Sequence, residues 1–205
     1  MTELKAVLFD LDGTLFDTER LWAQAVLSVA PLSSTEMHFL AGRSVADTAR
    51  YLGGLGLGDL TNSLLSAFEE RVLADATLQP GALALLESLV AQGISLALVT
   101  ASPRSIASAA IAGLDYFSVV VTADDTARTK PHPDPYLLAL SSLGVSANAC
   151  VVVEDTLVGV TSASAAGCVV VAVLSTMDIP PAPGRLVVPS LSDVSVDMLR
   201  SVLSG

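Results

Sequence analysis

Short apolar runs rich in β-branched residues recur along the chain, each followed by a helical pattern, and that alternation leaves few folds open. The runs are residues 5–10, 94–100, 118–122, 150–154 and 168–173. They are strand length. They are apolar at consecutive rather than alternate positions, as strands covered on both faces are. Between them, residues 82–91 place Leu83, Leu86, Leu89 and Val90 at helical spacing. Residues 103–114 open on Pro103, a residue suited to a first helical turn. Residues 134–143 open on Asp-Pro and stop before Gly144, and residues 156–166 stop before Gly167. The alternation predicts an α/β fold: a doubly wound parallel sheet with right-handed crossovers.

One stretch departs from this pattern. Between Phe16 and Leu78 no strand is predicted. Residues 17–29, 44–52 and 61–74 look helical, joined by Pro31-Leu32-Ser33-Ser34 and by Gly53-Gly54-Leu55-Gly56-Leu57-Gly58. About 60 residues are too many for a simple crossover. They predict a small α-helical cap, residues 16–78, inserted into a Rossmann-like core made of residues 1–15 and 79–205. The stretch Pro180-Pro181-Ala182-Pro183-Gly184 reads as a surface loop.

The whole chain has 205 residues, which suits one domain or a core with an insertion. It is 52% apolar, yet no run approaches a membrane span. Met1-Thr2-Glu3-Leu4-Lys5 leads into the first strand without a signal-peptide pattern, so a cytoplasmic setting is expected. The net charge of −11 argues against nucleic acid as a partner. A small phosphorylated substrate stays open, because one lysine and one divalent cation reverse the sign locally. Cys150 and Cys168 each open a valine-rich run and read as buried free thiols. Oligomeric state is not legible, and a monomer is the default expectation.

Chemistry is expected where strands end. Asp10 and Asp12 close the first apolar run, and Gly13 and Thr14 follow. In an extended chain the two carboxylates share one face, and Gly13 lets the chain turn beyond them. The plainer alternative is a solvated turn of Asp and Gly. Thr100-Ala101-Ser102 ends the second run ahead of a helix start, a place that can hold a phosphate. Helix capping by Ser102 is the alternative. Lys130 stands in the stiff segment Lys130-Pro131-His132-Pro133 or is a plain surface lysine. Glu154 and Asp155 end a buried run and suit a hard cation; Asp155 could also cap the next helix.

Taken in order, these motifs resemble the haloacid dehalogenase-like hydrolase superfamily. Asp10-Leu11-Asp12-Gly13-Thr14 is similar to its first motif, Thr100 to its second, Lys130 to its third and Glu154-Asp155 to its fourth. The helical insertion resembles the cap of the beta-phosphoglucomutase and sugar-phosphate phosphatase branch. The resemblance implies that Asp10 is a nucleophile forming an aspartyl-phosphate and Asp12 the general acid and base. It implies Mg²⁺ held by Asp10, Asp12 through its carbonyl, Asp155 and Glu154, the last directly or from behind. Thr100, Ala101 and Lys130 would bind the phosphoryl group, and Arg43 in the cap is a candidate for the far end of the substrate or else a solvated arginine. Mutases of this branch carry a histidine where Trp22 aligns. Trp22 cannot handle protons, so a phosphatase acting on small phosphorylated metabolites such as sugar phosphates is expected rather than a hexose phosphate mutase. A non-catalytic binding protein is the remaining alternative. Trp22 itself reads as cap core or as a lid, and His38 and His132 as structural.

Overall fold

The structure is a computed structural model and describes residues 3–40, 45–174 and 179–204. Six strands pair in parallel: β1 (Ala6–Phe9), β2 (Ser95–Val99), β3 (Val119–Val121), β4 (Cys150–Glu154), β5 (Val169–Val173) and β6 (Arg185–Val188). Their order across the sheet is β3-β2-β1-β4-β5-β6. The direction of winding therefore reverses beside β1. In open parallel sheets the crevice beyond the carboxyl ends at such a reversal is where ligands bind. Register aligns Phe9 with Leu98 on one side and with Val153 on the other. Asp10, Val99 and Glu154 consequently leave the sheet at one level.

Alternate residues of the central strands face two different layers. Val7, Phe9, Val151 and Val153 share a cluster with Leu85 and Leu86 of α5 (Ala82–Ala91), Ile106 of α6 (Arg104–Ala110) and Leu199 of α9 (Val196–Ser204). Ala6, Leu8 and Val152 pack with Tyr136 and Leu140 of α7 (Asp134–Leu143) and Val160 of α8 (Leu157–Ala165). Cover on both faces is why these strands read as unbroken apolar runs.

Among the described residues between β1 and α5 lie four helices: α1 (Glu19–Val29), α2 (Ser34–Leu40), α3 (Val45–Gly54) and α4 (Thr61–Asp75). Val26, Leu40, Leu52 and Leu64 form a small cluster of their own. Leu21, Ala25, Phe68 and Val72 join the cluster of the sheet instead, and α4 packs on both α1 and α6. The strands of chain entering and leaving the insertion run side by side. Phe16 and Leu78 form an antiparallel bridge, the Asp17 N–H donates to the Thr77 carbonyl (2.9 Å), and the Gln79 N–H donates to the Leu15 carbonyl (2.8 Å).

β6, α9 and α2, among the described residues, were not predicted. β6 is a half-buried edge strand of four residues behind a proline-rich loop. α9 lies on the same face as α5 and covers Leu191 and Val194. α2 carries a legible signal, since Ser33 and Glu36 form a capping box. α6 is shorter than the predicted 103–114, stopping at Ala110. Asp134 is the first residue of α7, not its cap, and its carboxylate pairs with Arg128 at 2.8 Å.

Candidate active site

The turn after β1 depends on Gly13. Its φ is 86°, a left-handed conformation that side chains disfavour, and a Cβ there would overlap the Asp155 carboxylate. The Gly13 N–H donates to the Phe16 carbonyl at 2.8 Å. The turn brings Thr14 over β4, where its hydroxyl donates to Asp155 Oδ1 at 2.9 Å. Asp155 thus belongs to the site rather than to a cap, and the capping hydroxyl of α8 comes from Thr156, which accepts from the Gly159 N–H.

Lys130 is buried and ties three strands together. Its ammonium donates to Asp10 Oδ1 (2.6 Å), Glu154 Oε1 (2.6 Å) and the Val99 carbonyl (2.8 Å). Those bonds use all three N–H groups of a lysine. Glu154 Oε1 also accepts from the Tyr136 hydroxyl (3.0 Å), and Oε2 accepts from the Asp155 and Thr156 N–H groups and the Thr156 hydroxyl. Gly159 leaves the room that Glu154 occupies, since a Cβ there would overlap its carboxylate.

Asp12 stands apart from this knot and is held by hydroxyls. Oδ1 accepts from Thr18 (2.8 Å); Oδ2 accepts from Ser102 (2.6 Å) and Thr100 (3.2 Å). Ser102 therefore does not cap α6. The first N–H of that helix, at Arg104, donates to Asp124 instead.

The electrostatics fit a hard cation. Ligand oxygens of Asp10, Glu154 and Asp155 lie within 4.8 Å of one another, and all three residues are buried. Three carboxylates face one ammonium, a surplus of negative charge that a divalent ion balances. Burial pushes the Asp10 carboxyl well above the usual range; Lys130 pulls it back, while Glu154, Asp155 and Asp12 push it further up. Burial works against the charge on Lys130, but Asp10 and Glu154 more than offset it and hold the ammonium well above its ordinary value. Burial, then Glu154, keeps the Tyr136 hydroxyl protonated far above its usual range.

The structure thus gathers Asp10, Asp12, Thr100, Lys130, Glu154 and Asp155 at one edge, with exposed Ala101 at the rim. Arg43 lies outside the described residues. Trp22 packs in the insertion, edge-on to Phe68 with ring centroids 5.2 Å apart. Sequence reasoning left Thr14, Thr18, Tyr136 and Gly159 without roles and read Ser102 as a cap rather than as a partner of Asp12. Thr14 and Ser102 adjoin the motifs. Tyr136 and Gly159 carry no local signal, because their meaning comes from Glu154 lying against them.

Residues 7–173 match the family described as haloacid dehalogenase-like hydrolase, and the chain belongs to that family. It is 39% identical over 195 residues to hexitol phosphatase A of Escherichia coli (strain K12), with 86% of each chain covered. It is 36% identical over 188 residues to a phosphoglycolate phosphatase of Rhodospirillum rubrum, covering 82% of this chain and 78% of that one. Among solved structures, CbbY from Rhodobacter sphaeroides in complex with phosphate superposes with a TM-score of 0.84 at 25% identity, over 98% of this chain and 100% of that one. The expectation of a phosphatase, not a non-catalytic relative of the fold, is borne out by these relatives. Divalent metal use is general in such enzymes, and the acidic cluster suits it. Among the described residues no helix is long and apolar enough to cross a membrane.

Proposed function

We propose that the protein is a Mg²⁺-dependent phosphatase of small phosphorylated metabolites, with sugar and hexitol phosphates the first candidates, working through an aspartyl-phosphate. The observation that carries this reading is the buried cluster of Asp10, Glu154 and Asp155 around Lys130, with Asp12 two residues beyond the nucleophile. The name of the hexitol phosphatase relative supports the substrate class, and such metabolites suit a cytoplasmic enzyme.

Asp10 attacks phosphorus, and the bond to the leaving oxygen breaks. Asp12 protonates that oxygen and later takes a proton from the water that hydrolyses the phosphoenzyme. Thr18, Thr100 and Ser102 aim its carboxylate until substrate arrives. Lys130 holds Asp10 in place, and to bind a phosphoryl oxygen it exchanges one of its three present partners. Thr100 and the Ala101 N–H complete the cradle for the phosphoryl oxygens. Asp10, Asp155 and the Asp12 carbonyl would hold the ion, with Glu154 behind them because both of its oxygens are engaged. Bound there, Mg²⁺ supplies positive charge that offsets the anionic phosphoryl oxygens. Residues 16–78 serve as the cap that shuts out bulk water, and Arg43 is the candidate contact for the far end of the substrate.

The test is release of inorganic phosphate from a panel of phosphate monoesters, including hexitol and sugar phosphates and phosphoglycolate. Chelation should abolish release, and Ca²⁺ should support it poorly because its looser coordination misplaces the phosphoryl group. Full release in excess chelator would sink the reading. With beta-glucose 1-phosphate, Mg²⁺ and a trace of the 1,6-bisphosphate, inorganic phosphate should form in preference to glucose 6-phosphate. The reverse order would make the protein a mutase despite Trp22.

A further inference from the structure

Cys150 and Cys168 take no part in this chemistry, yet the fold brings them together. Their sulfurs lie 3.7 Å apart, and both thiols are free and buried. The chain has two cysteines, so each is the other's sole intramolecular partner. The register explains the approach. Val151 pairs with Val169 on neighbouring parallel strands, so one step back Cys150, the first residue of β4, stands beside Cys168, the residue that leads into β5. Such strands run about 4.7–4.9 Å apart, within the Cα separation of about 4.4–6.8 Å that a disulfide accepts. Both side chains enter the cluster under α7 and α8, so they share one face. The pair sits at the amino end of the sheet, where cover is thin. Exposed Gly167 precedes Cys168, and the Cys150 thiol donates to the carbonyl of half-buried Ala147 at 3.4 Å.

We propose that Cys150 and Cys168 form a modification site, at which a two-electron oxidant of the peroxide class joins β4 to β5 through an intramolecular disulfide. One thiol loses its proton and its sulfur attacks a peroxide oxygen. The O–O bond breaks, sulfur is oxidised to a sulfenic acid, and the other oxygen leaves as water with that proton. The second thiol then attacks the sulfenic sulfur. The S–S bond forms, the S–O bond breaks, and a second water leaves with the remaining thiol proton. Two thiols give up two electrons and two protons, and the peroxide receives both. A dithiol reductant reverses the change by exchange. The cysteines are 18 positions apart, so the bond closes a loop around α8 and restricts the unfolded chain. Glu154 ends β4 four residues on, about 13 Å away at roughly 3.3 Å per residue, so turnover is left intact.

The experiment treats the purified full chain with hydrogen peroxide, removes the peroxide, unfolds the protein and alkylates free thiols before mass spectrometry. Expected are a chain that takes up no alkyl group, a peptide map joining Cys150 to Cys168, and full alkylation after dithiothreitol. The oxidised protein should melt about 5–10 °C higher with phosphate release changed less than about two-fold. Cys150→Ser and Cys168→Ser should each remove the rise in melting temperature. Two alkylated cysteines after peroxide, a lone sulfinic acid, or a cross-link between chains would overturn the site. A cross-linked chain that melts no higher would overturn its stabilising role. The wild-type peptide map decides the pairing even if neither serine variant folds.

Discussion

At the carboxyl edge of the sheet, polar contacts join residues far apart in the chain. Lys130 reaches Asp10 across 120 positions, and Thr14 reaches Asp155 across 141. In the helical insertion most such contacts are local and exposed: Asp47 with Arg50, Ser33 with Glu36, Asp59 with Thr61. Arg20 and Asp75 span α1 and α4, again at the surface. The difference separates two kinds of tolerance. At the sheet edge, changing one residue strands its partners in a buried setting, where an unpaired charge is costly. In the insertion, water replaces whatever is lost. On the proposed reading, the chemistry is bound to the first region, and the second is free to vary with the substrate.

The largest effect that would break this contrast is at Asp10, the proposed nucleophile. Asp10→Asn should reduce phosphate release below detection and leave no covalent adduct in acid-quenched mixtures read by intact-protein mass spectrometry. An adduct on another residue of that variant would refute the role given to Asp10. Asp12→Asn should slow turnover by roughly 10²–10⁴-fold through lost proton transfer, while an ester with a good leaving group still phosphorylates Asp10.

Next comes stability. Lys130→Met leaves Asp10 and Glu154 buried without their cation, and urea unfolding should show a loss of about 3–5 kcal/mol. The sign of the pH dependence follows from a folded value held above the unfolded one. The contribution of Lys130 is fully present below about pH 10 and is lost as pH rises through its folded value. A variant as stable as the wild type would show that the knot is not what fixes this edge. The smallest effect belongs to the insertion: Arg50→Met removes an exposed pair at 2.6 Å, and its urea midpoint should be unchanged. A large shift there would erase the contrast.

Most of the sheet and of the candidate site was legible because both follow from strand ends. Asp10, Lys130 and Glu154-Asp155 carry charge in or beside apolar or proline-stiffened segments, which a single chain makes visible. What stayed hidden is relational. Tyr136 reads as one more apolar position on α7 until its hydroxyl is found on Glu154. Ser102 reads as a cap until the turn after β1 delivers Asp12 to it. β6 went unread because an edge strand of four residues gains its burial from neighbours rather than from its own pattern, whereas α9 went unread although Val196, Leu199 and Leu203 fall at helical spacing along it.

The place of β1 in the middle of the sheet also bears on how the protein is made. β1 leaves the ribosome well before the strands that flank it, β2, beginning at Ser95, and β4, beginning at Cys150. At about 5–20 residues per second, its second flank follows roughly 7–30 s later. Until then Ala6, Val7, Leu8 and Phe9, all wholly buried in the finished protein, belong to a nascent chain with an open hydrogen-bonding edge, the condition that invites aggregation or a chaperone. The strand that leads to Asp10 is thus made before both of its neighbours and stays open on one side until the second of them follows.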